Sequence, residues 1–173
     1  MGGGAVLGLE HGSLRLVPYC DDWPQLYEIE RQRIAAAIGS YVLDIQHIGS
    51  TAIPGMVAKP ILDIAVAVAS FEEAVVCIAP LAALGYLYRG ENGLPRRHYF
   101  DKGEPLTTHH LHMWERDTEE WARHIRFRDR LRADPALAAE YAALKLRLWA
   151  EHPGDRNAYQ DGKEVFCARV QAP

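Results

Sequence analysis

The run Ile61–Val68, ILDIAVAV, reads as a central strand of a sheet. It is almost continuously apolar, rich in β-branched residues and flanked by turn residues, the pattern of a strand covered on both faces. Alternation places Leu62, Ile64, Val66 and Val68 on one side and Asp63, Ala65 and Ala67 on the other. Large residues imply a packed face; Asp-Ala-Ala implies a face with room for a ligand. An ionised Asp63 is costly there unless it is paired, metal-bound or open to a cleft. Fixing the preceding loop through backbone N–H groups would account for it equally well.

The neighbouring elements follow from period and punctuation. Leu43, Ile45 and His47 alternate with Asp44 and Gln46, as in a half-buried strand. Asp21-Asp22-Trp23-Pro24 opens a helix that should stop at Gly39, with Leu26, Tyr27, Ile34 and Ile38 on its apolar stripe. Ser70 and Glu73 have capping-box spacing, which predicts a helix from Phe71 to about Leu84. Arg97 to Lys102 and Thr108 to Trp114 read as strands joined through Gly103-Glu104-Pro105. Beyond Asp117 three helices are expected, at 117–133, 134–150 and 156–170. Gly162 interrupts the last at a cost of about 1 kcal/mol relative to Ala, which close packing or a helix break would explain. The expected architecture is α/β, of the mixed α+β kind: a small mixed sheet with flanking helices and a helical C-terminal part. It forms one domain over residues 14–173, after a flexible segment at 1–13. A chain of 173 residues leaves little room for a second core.

The formal net charge of −4 and pI of 6.0 argue against nucleic-acid binding by bulk electrostatics. Cys20, Cys77 and Cys167 are scattered and odd in number, so no disulfide framework or zinc ribbon is suggested. The start of the chain lacks the basic and apolar regions of a signal peptide, and no apolar stretch approaches the roughly 20 residues needed to span a bilayer. A cytoplasmic protein with no membrane partner is the expectation.

Three groups of residues carry candidate chemistry. Gly49, Ser50 and Thr51 form a loop whose backbone and hydroxyls suit an anion, with Lys59 adding positive charge at its far end. Neither a Walker A motif nor GxGxxG is present, and a tight turn with ordinary hydroxyls accounts for the same residues. His110 and His112 share one strand face with Trp114. Two such imidazoles suit a metal, a phosphate or acid–base work, and surface histidines look the same. Arg89, Arg96, Arg97 and Lys102 surround these strands, and their forks and ammonium groups match an anionic substrate or a solvated edge. Arg123, Arg126 and Arg130 make a further stripe at helical spacing, where Arg stems usually cover apolar surface.

Taken in order, Val17-Pro18-Tyr19, Trp23-Pro24, HIGSTAIPGMVAKPILDI, Arg96-Arg97-His98-Tyr99-Phe100, THHLHM, FRDRLRADPALAAEYAALK and YQDGKEVF resemble the GrpB-like bacterial family from about Leu14 to Val170. The resemblance implies the nucleotidyltransferase superfold of polymerase-β-like enzymes. In those a Gly-Ser turn and three carboxylates hold two divalent ions around a nucleoside triphosphate. Gly49-Ser50 corresponds to the turn and Asp63 to the first carboxylate. Ala65 stands at the second position, and His110 and His112 stand where the third is expected. A similar domain follows the kinase domain of some actinobacterial dephospho-CoA kinases; without a P-loop this chain looks like the stand-alone form. The expected function is binding of a nucleotide or other phosphorylated small molecule. Gly49, Ser50, Thr51, Lys59 and Arg97 would hold phosphate, and Asp63, His110 and His112 would serve as catalytic groups or ligands to Mg, Mn or Zn. Loss of the second carboxylate removes the basis for standard two-metal transfer. The alternatives are a metal-dependent small-molecule hydrolase centred on His110 and His112, or a non-catalytic interaction module.

Overall fold

In a computed structural model, described over residues 7–173, the apolar run forms strand β3 (Leu62–Val68) with a neighbour on each edge. β2 (Val42–Ile48) pairs with it antiparallel and β7 (His109–Glu115) pairs parallel. β5 (His98–Lys102) and β4 (Tyr86–Tyr88) complete a mixed sheet in the order β2-β3-β7-β5-β4. Ile64, Val66 and Val68 pack beneath α1 (Trp23–Ile38) and α2 (Ile78–Ala83), meeting Ile34, Ile38 and Leu81. This is the packed face read from the alternation.

The opposite face is filled differently from the expectation. Ala65 and Ala67 are fully buried under Trp114 and under Trp121 and Ile125 of α3 (Glu119–Ala133). Their small side chains make room for indole rings rather than for a ligand. Only the Asp63 end of that face stays open, and its side chain is 30% exposed.

Three further differences have local causes. The helix expected from Phe71 begins as a 3-10 segment at Glu73–Cys77 and becomes α-helical only at Ile78. Ser70 Oγ does accept the Glu73 N–H at 3.3 Å. Pro80 has no N–H to give the Val76 carbonyl, so the preceding residues cannot form a regular α-turn. The last expected helix is two, α5 (Arg156–Asp161) and α6 (Glu164–Gln171), broken at Gly162. A Cβ on Gly162 would overlap Leu148 of α4 (Pro135–Glu151), so close packing and a break both operate there. Within the segment expected to be loose, Leu9–Glu10 (β1) pairs with Leu106–Thr107 (β6), and Leu9 is buried. Residues 1–6 lie outside the described part.

The helical half is tied to the sheet through the loop after β2. Ile53 and Met56 pack against Phe127, Leu131, Tyr141, Phe166 and Val170, clamping that loop beneath α3, α4 and α6. The arginine stripe on α3 closes the far end. Arg126 donates to the Gln171 carbonyl, and Arg130 to those of Val170 and Ala172, where the C-terminal turn of α6 leaves acceptors unpaired. Among the described residues, no helix is long and apolar enough to cross a membrane.

Candidate functional site

Parallel pairing of β3 with β7 sets Asp63 beside His110 and Ala65 beside His112. His110 Nδ1 donates to Asp63 Oδ1 at 3.1 Å. His112 Nε2 lies 3.7 Å from the same oxygen, too far for a hydrogen bond. Burial alone would raise the Asp63 pKa. The hydrogen bond from His110 and the two imidazoles outweigh it, holding the carboxyl well below the usual range. Burial pushes His112 down, against the pull of Asp63. Its ring stacks on Trp114 at 5.2 Å, and Trp114 stacks in turn on His124 of α3 at 4.7 Å.

Gly49 turns the chain out of β2 with φ +69°, and a Cβ there would lie 2.6 Å from Asp63 Oδ2. Glycine is therefore required twice, for the backbone angle and for the approach of the carboxylate. Ser50–Ala52 then makes one 3-10 turn. The two hydroxyls of that turn have different fates. Thr51 touches the cavity lining but is 1% exposed, and its Oγ1 is 2.9 Å from His47 Nε2, so its hydroxyl braces the loop from inside. Ser50 borders the cleft and accepts from Lys145 Nζ at 2.9 Å.

Lys145 escaped the sequence reading. It lies on the buried stripe of α4 with Tyr141 and Leu148, is 1% exposed, and also donates to the Val57 carbonyl. A lysine at core spacing on an apolar helix face was the available signal. Burial pushes its pKa down to about 7. Since the folded value lies below the unfolded one, the unfolded chain binds more protons between pH 7 and 10, and stability rises with pH across that window. The wild type should therefore gain on Lys145→Met by on the order of 1 kcal/mol per pH unit there. Urea denaturation of both proteins from pH 7 to 10 checks this; parallel pH profiles would refute a buried neutral amine.

These groups surround a cavity of about 290 Å³. Ser50, Lys59, Asp63, Arg97, His110 and His112 line it, joined by two cations that spacing did not single out, Arg156 and Lys163. Lys163 belongs to the YQDGKEVF segment, which carries part of the family resemblance but no chemistry read from its spacing. Lys59 and Lys163 both lie near the Tyr159 ring, with Nζ 5.4 and 4.4 Å from its centroid. Arg97 is largely committed: Nε and Nη2 donate to the carbonyls of Glu91 and Asn92, and Nη1 lies 3.4 Å from His112 Nδ1. An adjoining cavity of about 390 Å³ shares Lys59, Tyr99, His110 and Arg156 and extends to residues 9–13. The rest of the basic cluster points elsewhere. Arg96 pairs with Glu72 and Glu115, Lys102 with Glu30, and Arg89 with Asp101 at the edge of the adjoining cavity.

The two-ion centre of polymerase-β-like enzymes does not fit this donor set. Asp63 Oδ1 is engaged by His110, the next site-facing position is Ala65, and imidazoles are poor ligands for magnesium. Among the described residues, no three His, Cys, Asp or Glu side chains are gathered to hold a metal ion.

The mixed sheet and its flanking helices form a nucleotidyltransferase-like fold. The structure of Cid1 in complex with the UTP analog UMPNPP superimposes with a TM-score of 0.54 at 11% identity, over 84% of this chain and 48% of that one, a likeness of fold alone. The GrpB protein family profile matches residues 13–172, and the chain belongs to that family. The crystal structure of conserved protein GrpB from Enterococcus faecalis matches with a TM-score of 0.85 and 35% identity, over 91% of this chain and 94% of that one. UPF0157 protein YqkA of Bacillus subtilis is 42% identical over 91% of this chain, which spans 46% of YqkA. Glutamate-rich protein GrpB of Alkalihalophilus pseudofirmus is 37% identical over 95% of this chain and 98% of its own length. A dephospho-CoA kinase of Mycolicibacterium paratuberculosis is 30% identical over 88% of this chain, which spans 44% of the kinase.

Proposed function

We propose that the cleft between the Gly49–Ser50 turn, Asp63 and the start of α6 binds a nucleotide or another phosphorylated small molecule. The observation that carries this reading is an imbalance of charge. Lys59, Arg97, Arg156 and Lys163 line one cavity whose only carboxylate among the described residues, Asp63, already has an imidazole partner. Ser50 adds a hydroxyl held in place by Lys145. Phosphate oxygens are the acceptors that such donors suit best. Asp63 orients His110: with its Nδ1–H given to the carboxylate, Nε2 keeps a lone pair and can accept a proton beside the bound ligand. The reading is one of binding, since Ala65 removes the carboxylate on which two-metal transfer depends.

Thermal melting with a panel of nucleotides and phosphorylated metabolites is the test. At about a hundred times Kd a true ligand stabilises by roughly 2.7 kcal/mol, or about 5–10 °C for a domain of this size. The shift should shrink in Lys59→Met. A flat response to every phosphorylated compound would rule the reading out.

A further inference from the structure

We infer that this cleft takes a ligand with at least two linked phosphates and binds it without a divalent cation, the side chains of Lys59, Arg97, Arg156 and Lys163 supplying the positive charge that two metal ions supply in polymerase-β-like enzymes. The inference rests on the phosphate-binding reading above and adds the ligand's charge and its independence of metal.

Charge comes first. Four cations against one carboxylate leave the cavity lining with a net charge of three positive when both histidines are neutral. A single phosphate monoester carries about −1.5 to −2 and leaves that excess partly unmet, whereas a di- or triphosphate matches it. None of the four cations takes part in an ion pair among the described residues. Lys59, Arg156 and Lys163 also have no hydrogen-bond acceptor among the described residues, and Arg97 adds charge from behind a fork committed to carbonyls. Holding like charges together in a part-buried cleft is unfavourable until an anion enters. Burial, followed by the neighbouring cations Lys163 and Arg156, pushes Lys59 down to about 8, and burial does the same to Lys163.

The second argument is what a metal would need. A divalent ion bridging two phosphates requires carboxylate oxygens turned toward the ligand. Here Asp63 is the one carboxylate lining the cleft among the described residues, its Oδ1 is taken by His110, and Ala65 offers nothing. Cationic side chains are the charge carriers left to meet the phosphates.

Calorimetric titration of the full chain with inorganic triphosphate and with inorganic phosphate, each in EDTA and in excess Mg²⁺, separates the possibilities. Triphosphate should bind in EDTA, at least about tenfold more tightly than phosphate, and Arg156→Gln or Lys163→Met should weaken it by about tenfold or more, the loss of one charged hydrogen bond. Binding seen only with Mg²⁺, or equal affinity for phosphate and triphosphate, overturns the inference and leaves the phosphate-binding reading standing. Absence of binding by triphosphate, phosphate and the nucleotide panel under every condition overturns both.

Discussion

Acidification from pH 6.5 to 4.5 should unfold this domain well before its carboxylates are all protonated. His47, His109 and His124 are held as neutral imidazoles, with burial pushing each pKa down to about 4. His47 is enclosed between Tyr27, stacked at 4.6 Å, and Thr51, while His124 lies on Trp114 and bonds the Glu120 carbonyl through Nδ1. In the unfolded chain all three titrate near 6.5, so between pH 6.5 and 4 the unfolded state binds more protons and stability falls as pH falls. From pH 6.5 to 4.5 this is worth roughly 2 kcal/mol per histidine. Three together reach about 6 kcal/mol, a large part of the 5–15 kcal/mol available to a typical domain. Urea denaturation followed by circular dichroism across this range reads the effect. His124→Phe keeps the stack without the proton and should flatten the slope by about a third. A stability profile level down to pH 4.5 would show that these rings are not held neutral.

Gly49→Ala should destabilise the domain by about 2–4 kcal/mol, combining the strain of a left-handed residue with displacement of a carboxylate. Gly55→Ala is the internal control. Its φ is +75° but nothing lies within 4 Å of a Cβ, so only the backbone term of about 1 kcal/mol applies. The difference between the two variants isolates the contact with Asp63, and phosphate-ligand binding should be lost in the first and kept in the second. Midpoints in urea at constant slope measure this; equal losses at both positions would mean that the Asp63 contact carries no weight.

Much of the architecture could be read before any coordinates, because it rests on local periodicity. The alternation in Ile61–Val68 placed β3 and its two faces, and Gly39 ended α1 where expected. The floor of the cleft was legible for the same reason: Asp63, His110 and His112 each face the cavity by strand parity alone. Its helical wall was not. Lys145, Arg156 and Lys163 sit on elements with ordinary amphipathic patterns, and only tertiary packing brings them across to the Gly49–Ser50 turn. Ala65 misled in the opposite direction: a small residue beside an aspartate suggested space, and the space belonged to Trp114 and Trp121. For Arg96 and Lys102 the sequence leaves an anion site and a solvated edge both open, because it does not display the glutamates that claim them.

Lys145 gives the helical half a standing beyond that of a cover. It is rooted in α4 yet ends on Ser50 and the Val57 carbonyl, so the turn that lines the cleft is propped by the layer behind it. A ligand in the proposed cleft would meet Arg156 and Lys163 on one side and, on another, a strut from α4 through Ser50. Its binding would then be coupled to the docking of the helices.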